Sequence, residues 1–161
     1  MGFKIDIAMT PEELEAYLTE QRTVRIATIG PRGLHNVPYY FAWHDGRVFF
    51  NTTLGNLAVK NIEEDGRASG TVDDGDSYEE LRGVTLTGRI EPVPRSDPRV
   101  EDVEAKISAK YLDGNPVPYA QWKTRHWYAL TPEKTMSWDF RKIPAARARR
   151  DAERAAAEGR G

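Results

Sequence analysis

The chain has 161 residues, of which 39% are apolar and 30% charged, and its formal net charge is −2. That is enough sequence for one domain with a real hydrophobic core, and it offers no global basic field for nucleic acid. The absence of cysteine excludes disulfides, zinc–thiolate centres and cysteine nucleophiles. No run of 18 or more apolar residues announces a transmembrane helix, and Met1–Asp6 carries no apolar leader, so a cytoplasmic protein is expected.

Thr10-Pro11-Glu12-Glu13 reads as a capping box with Pro at the first helical position. It opens a helix to about Glu20, with Leu14, Tyr17 and Leu18 on one face. Val24–Ile29 is β-rich, Gly30-Pro31-Arg32-Gly33 makes a tight turn, and His35–Trp43 forms a second extended run. Asp45-Gly46 is the strongest hairpin signal in the chain, because a type I′ turn needs positive φ at both central positions. Arg47–Thr52 rises as a third strand, and its polar, hydroxyl-rich end feeds a helix over Gly55–Glu64 with Leu57 and Ile62 inward. Strand ends that feed helix starts hold small anionic ligands through hydroxyls and free backbone N–H groups. Function is therefore most legible between Val24 and Asn61.

Asp65-Gly66 stops that helix, and Arg67–Asp73 is a fourth strand followed by a loop, Asp73–Ser77. Val84–Ile90 alternates at period two and is a long strand ended by Pro92 and Pro94. Ser96-Asp97-Pro98 starts a helix carrying Val103, Ile107 and Tyr111, which Asp113-Gly114-Asn115-Pro116 breaks. Trp127–Thr131 is the last strand, with Met136–Phe140 extending or following it. Six strands with hairpin connections predict a mainly β (α+β) fold, a six-stranded antiparallel barrel with peripheral helices over residues 1–143. Residues 144–161 form a separate Ala/Arg-rich tail, helical by propensity and solvated. Its Arg147, Arg149 and Arg150 read as a charged helix face.

Other candidates carry less. His35, His44 and His126 show no metal-ligand spacing, and Asp73-Asp74-Gly75-Asp76 lacks the later ligands of a calcium loop. Tyr39, Tyr40, Phe41 and Trp43 could floor a planar ligand, but alternation leaves only one face of that run for a site. No serine, histidine and acid stand in a recognisable nucleophilic motif. A redox cofactor fits that silence, because the cofactor then performs the chemistry.

In order along residues 10–143, several segments resemble the flavin- and deazaflavin-binding split-barrel proteins, the superfamily of pyridoxamine 5′-phosphate oxidase. They are Ile26-Ala27-Thr28-Ile29, Pro31-Arg32-Gly33, His35-Asn36-Val37-Pro38, Phe49-Phe50-Asn51-Thr52, Lys60-Asn61-Ile62 and Arg67-Ala68-Ser69. Tyr78–Val84, Gly88-Arg89-Ile90-Glu91 and Ser137–Lys142 complete the series. The resemblance implies a split barrel that works as a homodimer, with two cofactor sites at the subunit interface; composition and charge add the expectation of no membrane or nucleic-acid partner. By position, Asn51, Thr52 and Thr53 would line the cofactor and Asn56 would lie near its phosphate. Independently of the resemblance, Arg82 after the Tyr-Glu-Glu-Leu stretch could reach a ligand's anionic tail or form a structural ion pair. Trp138 falls where the oxidases place a Trp that reaches the flavin ring from the other subunit.

The chain departs from the family where a basic pair usually precedes the Asn-Leu segment. Those positions here are Asn56, Leu57 and Ala58, so the phosphate-pairing lysine is an alanine, and Lys60 one helical turn along would have to compensate. The basic residues of the oxidases' second strand are likewise replaced by aromatics. The reading is an oxidoreductase that passes hydride between FMN or the deazaflavin F-420 and a small planar or conjugated substrate. The missing lysine favours F-420. A second reading on the same fold is a non-catalytic binder or carrier of a flavin, haem or another planar ligand. No catalytic residue is assigned and no metal is expected.

Overall fold

A computed structural model describes residues 6–159. The N-terminal stretch searched for a leader lies outside these residues except for Asp6, as do the last two residues of the tail. The elements are α1 (Pro11–Glu20), β1 (Val24–Gly30), β2 (Gly33–Tyr39), β3 (Ala42–His44), β4 (Arg47–Thr53), α2 (Leu57–Glu64), β5 (Arg67–Asp74), β6 (Arg82–Val93), α3 (Arg99–Tyr111), β7 (Arg125–Asp139) and α4 (Ile143–Glu158). All strand pairs are antiparallel, in the order β2-β1-β5-β6-β7-β4-β3. No helix among the described residues is long and apolar enough to cross a membrane.

The expected mainly β antiparallel barrel is present, but with seven strands rather than six. The single extended run expected over His35–Trp43 breaks at Tyr40–Phe41, where the chain leaves β1 and joins β4. At that corner the Phe41 N–H donates to the Tyr111 hydroxyl at 3.1 Å, and the same hydroxyl lies 2.8 Å from the Phe41 carbonyl oxygen. A side chain from α3 thus takes over the backbone partners that a strand neighbour would have supplied. The Asp45-Gly46 turn forms as expected, with φ of 51° and 67°. β6 and β7 run longer than expected. Pro92 and Pro132 stay inside them, and a register shift at Thr87/Gly88 absorbs the second.

The sheet curls around one core. Val24 and Ile26 of β1, Val48 and Phe50 of β4, Val84 and Leu86 of β6, and Tyr128 and Leu130 of β7 meet inside it, with Tyr17 and Leu18 from α1. A second core lies on the other face, where Phe49, Trp127 and Ala129 pack under Val100, Val103 and Ile107 of α3. Strands β4 and β7 are therefore covered on both faces. That is why Val48-Phe49-Phe50 and Trp127-Tyr128-Ala129-Leu130 read as continuous apolar runs.

The helices are pinned by specific bonds. Thr10 and Glu13 close the expected capping box, with bonds of 3.2 Å and 2.7 Å. The tail is helical, with Ala146 its buried residue and the rest mostly at the surface. Helix α2 is tied to β1 through buried Asn61, whose Nδ2 donates to Thr28 Oγ1 at 3.1 Å. Gly30 sits so close to the Asn61 amide that an added Cβ would collide with it.

This buried pair makes a defined prediction. Asn61→Leu leaves a buried Thr28 hydroxyl short of its donor and lowers stability by about 1–3 kcal/mol, read as a lower urea midpoint. Thr28→Val added to it restores part of the loss, because the two costs share one interaction. Fully additive costs would contradict the coupling.

Candidate cofactor site

Where β2 turns into β3, the end of β4 and the end of α3 leave a cleft of about 530 Å³. This lies in the ordinary size range of small-molecule sites, about 300–1,000 Å³. Tyr39 and Tyr40 come from the corner, Asn51, Thr52 and Thr53 from β4, and Ile107 and Tyr111 from α3. Trp122 and Arg125 close it from the turn that leads into β7.

The aromatic part is built by stacking. Tyr40, 64% exposed, lies against Tyr111 with ring centroids 4.4 Å apart and planes 19° apart. Tyr111 is held in turn by its hydroxyl bonds at Phe41. Burial pushes the Tyr111 hydroxyl up to about 12 and raises that of Tyr39, so both stay neutral donors at physiological pH. Of the expected aromatic floor, Phe41 and Trp43 point into the core and Tyr39 and Tyr40 remain for the cleft.

The polar part comes from two neighbouring strand ends. Register pairs Asn51 with Trp127, Thr52 with His126 and Thr53 with Arg125. One Arg125 amino group donates to Asn51 Oδ1 at 3.0 Å, and the guanidinium carbon lies 5.2 Å from the centre of the Trp122 ring. Backbone bonds from Leu54 N–H to Thr124 C=O (2.9 Å) and from Arg125 N–H to Trp122 C=O (3.0 Å) fix this turn to β4. Among the described residues no Asp or Glu lines the cleft, and Arg125 is its one charged side chain.

The seven residues expected at the site separate. Asn51, Thr52 and Thr53 come together in the cleft. Asn56 is the N-cap of α2: its Oδ1 accepts from Val59 N–H at 2.9 Å and its Nδ2 donates to Thr52 Oγ1 at 2.7 Å. Ala58 is 3% exposed, against the sheet side of α2, while the Lys60 side chain faces solvent with no hydrogen bond or ion pair among the described residues. Arg82 does not reach the cleft of its own chain. It clamps Asp74 with bonds of 2.9 and 2.8 Å, reaches Glu20 at 3.3 Å and lies over the Tyr17 ring, which is the structural ion pair of the two alternatives. Trp138 stands at the opposite end of β7 from Arg125, over Gly83, where an added Cβ would collide with its ring.

Trp122, Tyr111 and Arg125 were not expected at the site. Arg125 lies outside the strand expected over Trp127–Thr131, whereas β7 begins at Arg125 and puts it on the face of Trp127. What the sequence does not display is that this strand pairs with β4. The remaining candidates have local roles. Asp73 pairs with Arg25, and His44 Nε2 lies 3.7 Å from Asp102.

The model of the pyridoxamine 5′-phosphate oxidase family matches residues 10–139, so the chain belongs to that family. Among solved structures, the conserved hypothetical protein Rv2991 from Mycobacterium tuberculosis is 28% identical, with a TM-score of 0.77 over 89% of this chain and 93% of that one. A protein described as an F420 reductase is 23% identical, with a TM-score of 0.59 over 79% and 98% of the two chains. HutZ, a haem storage protein from Vibrio cholerae, is 16% identical, with a TM-score of 0.64 over 80% and 94%. The last two show likeness of fold alone. A search of curated proteins found no match.

One titration next to the cleft is predictable. Burial, with Arg22 and Lys106 nearby, brings Lys110 down to about 8, although its ammonium donates to the Gln21 carbonyl at 2.7 Å and lies 4.8 Å from the Phe41 ring centre. An unfolded lysine titrates at about 10.4. Between these values the unfolded chain binds more protons, so this residue's contribution to stability rises with pH across that window. The stability of the wild type relative to Lys110→Met should therefore climb between about pH 8 and 10, measured by urea unfolding. A flat difference would contradict the assignment.

Proposed function

We propose that the protein is a flavin- or deazaflavin-dependent oxidoreductase that works as a cytoplasmic homodimer, with F-420 favoured over FMN. The observation that carries the reading is the composition of the cleft: stacked aromatics on one side, amide and hydroxyl donors at a strand end on the other, and a cation with no carboxylate beside it in the lining. That donor set fits a planar ring bearing an anionic chain. Family membership supports it, and so does the chain's likeness in fold to an F420 reductase. The buried Ala58 and the solvent-facing Lys60 argue against a tight phosphate grip at the start of α2, which is the reason for preferring the deazaflavin.

When bound, such a cofactor supplies the ring that gives or takes hydride. The chain's own residues would hold it. Asn51, Thr52 and Thr53 offer donors and acceptors along the strand end, while Tyr40, Tyr111 and Trp122 cover apolar ring surface and exclude water. In the proposed dimer, Trp138, which lies away from the cleft of its own chain, would be available to the partner's site, whereas Arg82 is held by Asp74 and Glu20 of its own chain.

The second reading, a non-catalytic binder or carrier, draws on the same cleft. What favours it is that, among the described residues, no His, Asp, Glu or Lys lines the cleft to move a proton near neutral pH. The haem form of this reading has no His or Met among those lining residues to serve as axial ligand.

Titration of the purified protein with F-420 and with FMN, followed by cofactor fluorescence and Trp quenching, separates the readings. The expected outcome is a dissociation constant of about micromolar or tighter for F-420, a weaker one for FMN, and elution as a dimer. Binding of neither to a folded dimer would remove the oxidoreductase reading.

A further inference from the structure

We propose that Arg125 is the residue that pairs with the anionic group of the ligand, so that the cation missing from the start of α2 is supplied across the sheet from β7. This rests on the reading of the cleft as a cofactor site, and it names a residue that the family resemblance did not.

Seven of the chain's sixteen arginines are neutralised by acids. Arg25, Arg67, Arg82, Arg99, Arg141, Arg150 and Arg154 each pair with an Asp or Glu. Arg125 pairs with none among the described residues, and its one side-chain hydrogen bond uses a single amino group, to the neutral amide of Asn51. The rest of the guanidinium fork is free, and a planar fork of this kind binds a phosphate or carboxylate through two parallel bonds. Its direction is set twice, by the Asn51 bond and by the Trp122 ring. The antiparallel register places Thr53 directly opposite Arg125, so a hydroxyl and a guanidinium share one end of the cleft.

The start of α2, where the resemblance would place the phosphate, lacks the family's lysine. Asn56 Oδ1 caps the start of α2 by accepting from Val59 N–H, and Ala58 is buried. Lys60, one helical turn along, is exposed. With Arg22 lying over Tyr111 but not lining the cleft, Arg125 is the one charged group that an anionic ligand in the cleft would meet.

The test compares each ring system with and without its phosphate: FMN against riboflavin, and F-420 against the same deazaflavin stripped of its phosphate chain. The wild type should prefer the phosphorylated form by at least ~10-fold, the scale of one charge-assisted pair. Arg125→Gln should reduce that preference to about threefold or less and make the remaining affinity insensitive to salt. Arg125→Lys should keep an intermediate preference, and Lys60→Gln should keep it in full. Arg125 is exposed, so an unchanged urea midpoint for Arg125→Gln will show that the fold is intact. If Arg125→Gln retains the preference, or Lys60→Gln abolishes it, the inference is overturned while the cofactor reading stands. Ring compounds that bind the wild type equally with and without phosphate overturn it in the same way. Failure of all four compounds to bind the folded wild type overturns the cofactor reading and this inference together.

Discussion

The pairing of β4 with β7 is the constraint on which the cleft depends. Its register sets Thr53 against Arg125 and Asn51 against Trp127, and so gathers the amide, the hydroxyls and the guanidinium at one strand end. A slip of one residue would turn Arg125 into the barrel interior and bring His126 to the cleft face. Such a slip is strongly opposed. Phe50 and Tyr128 would leave the inner core, while Phe49 and Trp127 would leave the packing under α3. Because both faces of these strands are buried, the hydrophobic core and the site are specified by the same register.

The second determinant is the corner at Tyr40–Phe41. There the Tyr111 hydroxyl satisfies the backbone of Phe41, ends one strand and starts the next, and at the same time presents the Tyr111 ring to Tyr40. A single side chain on α3 therefore closes the fold and builds a wall of the cleft. Removing it would affect stability and ligand affinity together, which is a different signature from that expected of Arg125.

Much of this was legible in the sequence, and for identifiable reasons. Local signals held: the Thr10–Glu13 capping box, the Asp45-Gly46 turn, the period-two alternation of Val84–Ile90 and the apolar face of α3 all depend on residues close in the chain. The polar end of β4 was read from its own composition. The motifs in order along residues 10–143 identified the family, which the match over 10–139 shows. Arg125 and Trp122 were hidden because their role depends on a strand pairing between residues far apart in the chain, as with Asn51 and Arg125. The split of the second strand was hidden for the same reason, since its cause is a hydroxyl 70 residues away. Arg82 shows the converse: its sequence position left a ligand's anionic tail and a structural ion pair both open, and in its own chain the carboxylates of Asp74 and Glu20 claim it.

The central proposal is that a planar, anionic ligand binds in the cleft between the end of β4 and the turn into β7. Backbone hydrogen exchange, measured with and without whichever of F-420 and FMN binds, tests this without reference to turnover. Added protection should concentrate at residues 39–41, 51–54 and 122–126, with the outer face of β1 and β2 near Ile29 and Leu34 unchanged. Protection confined to that outer face, or to the start of α2 alone, would contradict it.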